Sequence, residues 1–253
     1  LCIDLEKKCD KKFDCSDESD EESCKIIDNT SPLDHNLPPP VHTNLTAVSV
    51  NIALRSIIQI DEIGMTFNAK FILWNEWQDW RVDSYDLNED SNLLNEKEMS
   101  QIWIPNLLFE NGLDDENGLS TQFGQSKTLI IFPDPDQTNE FQLMDSLDEG
   151  RLFVNPHMLY SAIFIRQFNC ELDLLTYPFD RQVCQIKVSP PWALQDFIEL
   201  TPGEAVNEAP FSFSQFNVIN FSMLPFEAKV NVGMSNTGIM FQFHLDRDIT
   251  HHI

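Results

Sequence analysis

The stretch CELDLLTYPFDRQVC, from Cys170 to Cys184, decides how the rest of the chain is read. Thirteen residues lie between its two cysteines. Closed by a disulfide, a loop of that size would remove roughly 3 kcal/mol of unfolded-state chain entropy, which alone would make it a structural staple. Its contents say more. Leu172 and Leu174 are apolar, and the turn Tyr177-Pro178-Phe179-Asp180 carries two aromatic rings that a soluble domain gains little from exposing.

Strand patterns flank the loop, with Leu159–Phe168 before it and Gln182–Val188 after it. Further toward the N-terminus, Val48, Val50, Ile52 and Leu54 alternate with Ser49, Asn51 and Ala53, the period of a half-buried strand. Met65, Phe67, Ala69, Phe71 and Leu73 form a second alternating set that reaches Trp77 in phase. Asn68, Lys70, Ile72, Trp74 and Glu76 occupy its other face. Lys127–Phe132, Phe216–Phe221 and Ile239–Leu245 continue the theme, separated by turn formers such as Pro133-Asp134-Pro135 and Pro190-Pro191. Many short strands without long helical patterns predict an all-β, antiparallel sandwich.

Composition narrows the function. The chain has 253 residues, with 16 Lys and Arg against 41 Asp and Glu, for a formal net charge of -25. Such a field repels phosphate backbones and excludes nucleic acid as a natural partner, while it attracts cations. Neither a Ser/His/Asp nor a Cys/His arrangement stands out, and no phosphate-binding glycine loop does, so an enzyme is not expected. Four of the six cysteines (Cys2, Cys9, Cys15 and Cys24) crowd the first 24 residues, as in small domains of oxidising compartments. Three N-glycosylation sequons agree, at Asn29, Asn44 and Asn220. No apolar run approaches the roughly 18 residues of a membrane helix.

With its paired cysteines and its Tyr177–Asp180 tip, the 170–184 stretch resembles the signature loop of pentameric Cys-loop receptors. Other stretches match that family in the right order. Trp103-Ile104-Pro105-Asn106-Leu107-Leu108-Phe109 resembles its W-x-P-D-x-x-F run, with Asn106 replacing the aspartate. Trp77-Gln78-Asp79-Trp80-Arg81 resembles its W-x-D-x-R run, and Tyr160-Ser161 its sixth-strand pair. Phe243–Arg247 looks like the segment before the first membrane helix, with a flavour of the anion-selective branch. The resemblance implies an immunoglobulin-like antiparallel β-sandwich over residues 46–253 and a Cys170–Cys184 disulfide. It implies a ring of five identical or related subunits at the cell membrane, on its extracellular side. The ligand would bind between neighbours. Tyr177, Pro178, Phe179 and Asp180 would be the coupling tip, with Arg247 beside it. A membrane domain is expected beyond Ile253.

Counting from these landmarks places candidate ligand contacts. Glu110 lies seven residues after Trp103, Pro191 seven after Cys184 with Trp192 next to it, and Ile72 five before Trp77. Trp74 shares the outward face of Ile72. The expected capping loop, KVNVGMSN at Lys229–Asn236, holds no aromatic residue and no vicinal cysteine pair. The aromatic cage that attracts amines is therefore dismantled, so either the ligand or ion is of another kind or this subunit contributes only the complementary face in a mixed pentamer. One acid and two indoles could still hold a cation, although both tryptophans packing on neighbouring strands is the more ordinary expectation.

The first 25 residues form a separate small unit, joined by a polar, proline-rich linker at 26–45. From Cys9 to Cys24 the pattern C-D-x-x-x-D-C-x-D-x-S-D-E-x-x-C resembles the second half of a low-density-lipoprotein-receptor class A module. That resemblance implies a Cys9–Cys24 disulfide. It also implies calcium, bound by Asp10, Asp14, Asp20 and Glu21 with carbonyls near Lys7 and Lys12. Calcium takes about six to eight oxygen ligands, and this segment is rich in them. Cys2 and Cys15 lack their usual partners. The leading expectation is thus the ligand-sensing domain of a pentameric channel subunit. The alternatives are a secreted pentameric binding protein of the same fold, or a calcium-dependent adhesion module.

Overall fold

The computed structural model describes residues 13–20, 36–39, 45–82, 84–85, 92–113, 120–121, 124–132, 152–153, 156–209, 212–213, 215–230 and 234–248. Its strands are β1 (Thr46–Asp61), β2 (Thr66–Gln78), β3 (Ser84–Tyr85), β4 (Asn92–Leu93), β5 (Leu108–Phe109), β6 (Gln125–Phe132) and β7 (Leu152–Phe153). They continue with β8 (His157–Asn169), β9 (Arg181–Ser189), β10 (Ile198–Asn207), β11 (Ser212–Phe213), β12 (Phe216–Val230) and β13 (Met234–Arg247). The helix α1 (Glu96–Met99) is one turn closed by an Asn95–Glu98 capping box. A six-stranded sheet has the order β10-β1-β2-β8-β6-β4, and a five-stranded sheet the order β11-β12-β13-β9-β5. This is the expected β-sandwich.

The chain divides into two compact units. The larger comprises Val41–Asn75, Pro105–Lys127 and Ser161–Ile253, and it holds the whole five-stranded sheet. Its core is aromatic. Phe67 and Phe71 of β2 meet Phe164 and Phe168 of β8, Phe109 of β5 and Phe243 of β13, with ring centroids 5.1–5.9 Å apart. These contacts are where the two sheets face each other. The alternation of β2 foretells which residues take part: Phe67, Ala69, Phe71 and Leu73 are buried, while Lys70 is exposed. Met65 leaves the pattern. It sits in the β1–β2 turn at φ 52°, outside the strand and partly exposed.

β1 also departs from its alternation, since Asn51 and Ala53 are buried as fully as Val50 and Ile52. The cause is β10, which lies parallel to β1 and covers its other edge. Pro202 and Gly203 make this segment a poor strand by propensity, and nothing in its sequence announces it. Both residues have a place here. Pro202 pairs with Val50 where the register shifts, on an edge strand that can spare an N–H. A Cβ at position 203 would run into the Asn51 carboxamide and the Ser49 hydroxyl, so the close approach needs glycine. Asn51 then bridges three strands, accepting from Glu204 N at 2.6 Å and donating to Trp74 O at 3.3 Å. The sandwich is therefore antiparallel in its β12–β13, β13–β9, β5–β9 and β4–β6 ladders, with β1–β10 parallel.

The other unit comprises Leu1–Pro40, Glu76–Ile104 and Thr128–Tyr160. Trp77 and Trp103, from the two tryptophan runs, pack edge to face at 6.0 Å. Beside them in the sequence, Asp79 and Arg81 form a buried two-point ion pair, Nε to Oδ1 at 2.8 Å and a terminal nitrogen to Oδ2 at 2.6 Å. Arg81 also donates to the Leu37 carbonyl at 2.9 Å, and Pro38 and Pro39 are buried, so this piece of the linker is packed down. Burial pushes the Tyr160 phenol up to about 12.

Candidate functional site

The cysteine loop opens from the ends of β8 and β9 and is closed by the Cys170–Cys184 disulfide, with Cα atoms 5.2 Å apart. Inside it, Gln182 works as a brace. Its side chain accepts from Asp173 N and donates to Asp173 O, each at 2.8 Å, and it also donates to the Asp180 carboxylate. Leu172 is buried, which anchors the first half of the loop. The loop is tied to the β1–β2 turn by Cys170 N, which donates to Met65 O at 2.8 Å. That turn is shaped by Asp61, whose Oδ1 accepts from the backbone of Ile63 and Gly64 at 3.0 Å each.

Arg247, at the end of β13, joins all of these pieces. Its Nε donates to Asp180 Oδ1 at 2.6 Å and one terminal nitrogen to Asp180 Oδ2 at 3.0 Å, the two-point geometry that guanidinium and carboxylate favour. The other terminal nitrogen donates to Glu62 Oε1 at 2.6 Å and to Gln215 Oε1 at 3.1 Å. Its carbon lies 4.4 Å from the Phe216 ring centroid and 4.8 Å from that of Tyr177. Burial opposes both charges, yet the hydrogen bonds prevail. Asp180 is held below its ordinary carboxylate value by Arg247 and Gln182, and Arg247 is held above its usual value by Asp180 and Glu62.

Around this buried charge cluster the chain exposes apolar side chains. Ile63 is 98% exposed, Leu175 92% and Phe179 74%, with Tyr177 half exposed over the guanidinium. Asp180 differs from its expected place at the tip: it is buried beneath the tip, where it fixes Arg247. Sequence reasoning missed Glu62, Ile63, Leu175, Gln215 and Phe216. The turn Asp61-Glu62-Ile63-Gly64, lying between two alternating runs, is the one signal that pointed to part of this set.

The candidate ligand contacts fall into two groups on different sheets. Glu110 follows β5, with its backbone N donating to Lys187 O at 2.9 Å and its carboxylate accepting from the Ser189 hydroxyl. Ser189 ends β9 opposite Leu108, and two residues on Pro191 starts the 3₁₀ turn Trp192–Leu194. Trp192 is 65% exposed, contrary to the expectation that it packs on a neighbouring strand, because this turn carries it off the sheet without burying any of its residues. Ile72 and Trp74 are half-buried on β2, on the face opposite the core residues Phe71 and Leu73. The centre of the expected capping loop, 231–233, lies outside the described residues.

In the N-terminal segment, Cys9, Cys24, Asp10 and Glu21, with Lys7 and Lys12, lie outside the described residues, as do Asn29 and Asn44. Asp20 is buried, and its Oδ2 accepts from the backbone of Asp14 at 2.6 Å and of Cys15 at 3.2 Å. This closes a tight turn over 14–20. Cys15 is buried and has no disulfide partner among the described residues. Among the described residues no group of three or more His, Cys, Asp or Glu side chains is gathered as a metal site, and no helix is long and apolar enough to cross a membrane.

Comparison with known proteins agrees with this geometry. Residues 25–249 match the family described as neurotransmitter-gated ion-channel ligand binding domain. The glutamate-gated chloride channel of Drosophila melanogaster is 27% identical over 154 residues, which is 60% of this chain and 29% of that protein. The gamma-aminobutyric acid receptor subunit epsilon of Homo sapiens is 25% identical over 169 residues, 66% of this chain and 29% of the relative. Subunit theta of Mus musculus is 27% identical over 165 residues, with 65% and 22% covered. The matched part is thus less than a third of each relative's length. With its disulfide-closed loop, two-sheet sandwich and a family match over nearly its whole length, the chain belongs to the ligand-binding domains of neurotransmitter-gated ion channels.

Proposed function

We propose that this chain is the extracellular domain of one subunit of a pentameric ligand-gated channel, and that it couples binding to pore opening through its cysteine loop. The observation that carries this reading is Arg247. One buried guanidinium holds the Cys-loop aspartate and the β1–β2 turn glutamate together at the end of β13. A strain arriving along β13 therefore reaches both turns at once. Each turn presents an apolar side chain outward, Ile63 on one and Phe179 on the other, as a surface meant to rest on a further domain would. Asp180 and Arg247 position that surface, and Tyr177 and Phe179 make the contact.

The ligand in this account sits between subunits. Glu110 and Trp192 of one subunit would face Ile72 and Trp74 of the next, which explains why the two groups lie on different sheets of one chain. An exposed indole beside a carboxylate suits a small cation, but with Ile72, Glu110 and Pro191 at the landmark positions the full aromatic cage is absent. Acetylcholine, serotonin or histamine binding below micromolar concentration by five copies of this chain would contradict the proposal. Similarity to a channel named for chloride, together with the Phe243–Arg247 run, favours anion conduction.

The test is a current recording from oocytes expressing the full-length subunit, with the bath stepped through transmitters, pH and calcium. A gated current is expected, and Trp192→Ala should raise the half-maximal concentration of whichever stimulus works by about tenfold, corresponding to loss of a desolvated cation–π contact. A protein released to the medium with no membrane-bound form would overturn the channel in favour of a binding protein of the same fold.

A further inference from the structure

We infer that Asn220 is a site of N-linked glycosylation, displayed by a β-bulge on the outer face of the five-stranded sheet. The inference rests on the extracellular placement proposed above, and adds a modification that the receptor reading does not require. The triplet Asn220-Phe221-Ser222 has the acceptor form, with a residue other than proline in the middle. Such triplets arise often by chance, so the folded setting has to decide whether a glycan fits.

Strand periodicity argues against it. Phe216 and Val218 are buried, and simple alternation would turn residue 220 inward with them. The register shows otherwise. Val218 pairs with Leu245 and Asn220 with His244, so two steps along β12 answer one along β13, and Ile219 is the extra residue. Beyond this bulge the phase is inverted. Phe221 and Met223 pair with the buried Phe243 and Phe241, whereas Asn220 and Ser222 turn to the outer face with His244 and Gln242. Asn220 and Ile219 are both exposed.

The surroundings leave room for a sugar chain. Among the described residues β11 pairs with β12 at Asn217 and Phe216 alone, and no strand is paired to that edge of β12 at Asn220. The Asn220 side chain accepts from Phe221 N at 2.8 Å through its oxygen, a bond that does not use the amide nitrogen Nδ2 of this exposed residue. In the transfer, Nδ2 bonds to the anomeric carbon of a lipid-linked oligosaccharide diphosphate. The bond from that carbon to the diphosphate oxygen breaks, and the amide gives up one proton. No electrons are exchanged with an outside oxidant or reductant.

The experiment is expression of the chain in a secreting eukaryotic cell, followed by peptide N-glycosidase treatment and mass spectrometry of the peptide containing residue 220. Conversion of Asn220 to aspartate on enzyme treatment is the expected result. Asn220→Gln and Ser222→Ala should each remove one glycan's worth of mass, and Ser222→Thr should retain it. A bare Asn220 in a chain glycosylated at Asn29 or Asn44 would overturn the site while leaving the extracellular reading intact. A chain bare at all three positions would overturn both.

Discussion

Replacing Arg247 by methionine lowers the free energy of unfolding by about 3–5 kcal/mol, the usual cost of stripping one partner from a buried ion pair. The Asp180 side chain is 0% exposed, and after the substitution it keeps its charge with Gln182 and backbone to answer it. Methionine fills much of the arginine stem's volume, so the loss is chiefly electrostatic. Removing both charges tests this. The double variant Asp180→Leu/Arg247→Met regains much of the stability, and the cycle yields a large coupling energy.

The pH dependence follows from the same pair. In the native protein Asp180 titrates below its ordinary 3.8, so its contribution to stability is complete above that value and is lost as pH falls below it. In the Arg247→Met variant burial of Asp180 is opposed by Gln182 and backbone without the guanidinium, so protonation at acid pH relieves part of the penalty. Native and variant stabilities therefore converge as pH falls, a trend that urea titrations across the acid range would measure. A gap that holds constant with pH would show that packing, rather than charge, carries the effect.

Asp79→Ala is expected to cost a similar amount, about 3–5 kcal/mol, for a different part of the chain. Asp79 and Arg81 side chains are 0% and 1% exposed, so the substitution strips a buried guanidinium of its two-point carboxylate partner. Asp79 also shapes the local turn, accepting from Arg81 N at 3.1 Å while its carbonyl accepts from Val82 N at 3.2 Å. Loss of the aspartate thus frees the turn as well as the charge. Arg81→Lys should recover little when paired with native Asp79, because an ammonium cannot match two carboxylate oxygens and also reach the Leu37 carbonyl in the guanidinium's fixed fork. Urea unfolding of the three proteins provides the measurement.

The contrast between these two arginines shows what the sequence makes legible. Asp79 and Arg81 lie two residues apart and sit in a recognisable run, so their pairing needs no knowledge of topology. Arg247 and Asp180 are 67 positions apart, and their pairing with Glu62 spans 185. The β9–β13 ladder, which sets Asp246 opposite Arg181, brings Arg247 to Asp180, and the β1–β2 turn supplies Glu62. Alternation marks the aromatic core of β2 because burial alternates without a break from Phe67 to Gln78. The same rule fails wherever register shifts: at Val50/Ile52, where β10 buries Asn51, and at Ile219, where the face of Asn220 is exchanged. β10 itself was hidden because Pro202 and Gly203 answer a close approach to Asn51 and Ser49 that exists only in three dimensions.

Among the candidate ligand contacts, counting from landmarks found the neighbourhood but could not tell an exposed indole from a packed one. Trp192 is exposed because a 3₁₀ turn follows Pro191, and that depends on a backbone path no periodicity records.

Coupling through the cysteine loop requires that the exposed loop tip transmit binding to the pore. The direct measurement is maximal gated current from the full-length subunit carrying Phe179→Ser, with surface expression and stimulus binding measured on the same cells. Phe179 is 74% exposed, so the substitution should leave folding and binding unchanged. The account predicts a large fall in maximal current with the binding curve in place. Full current from the variant, at normal surface expression, would contradict coupling through the cysteine loop.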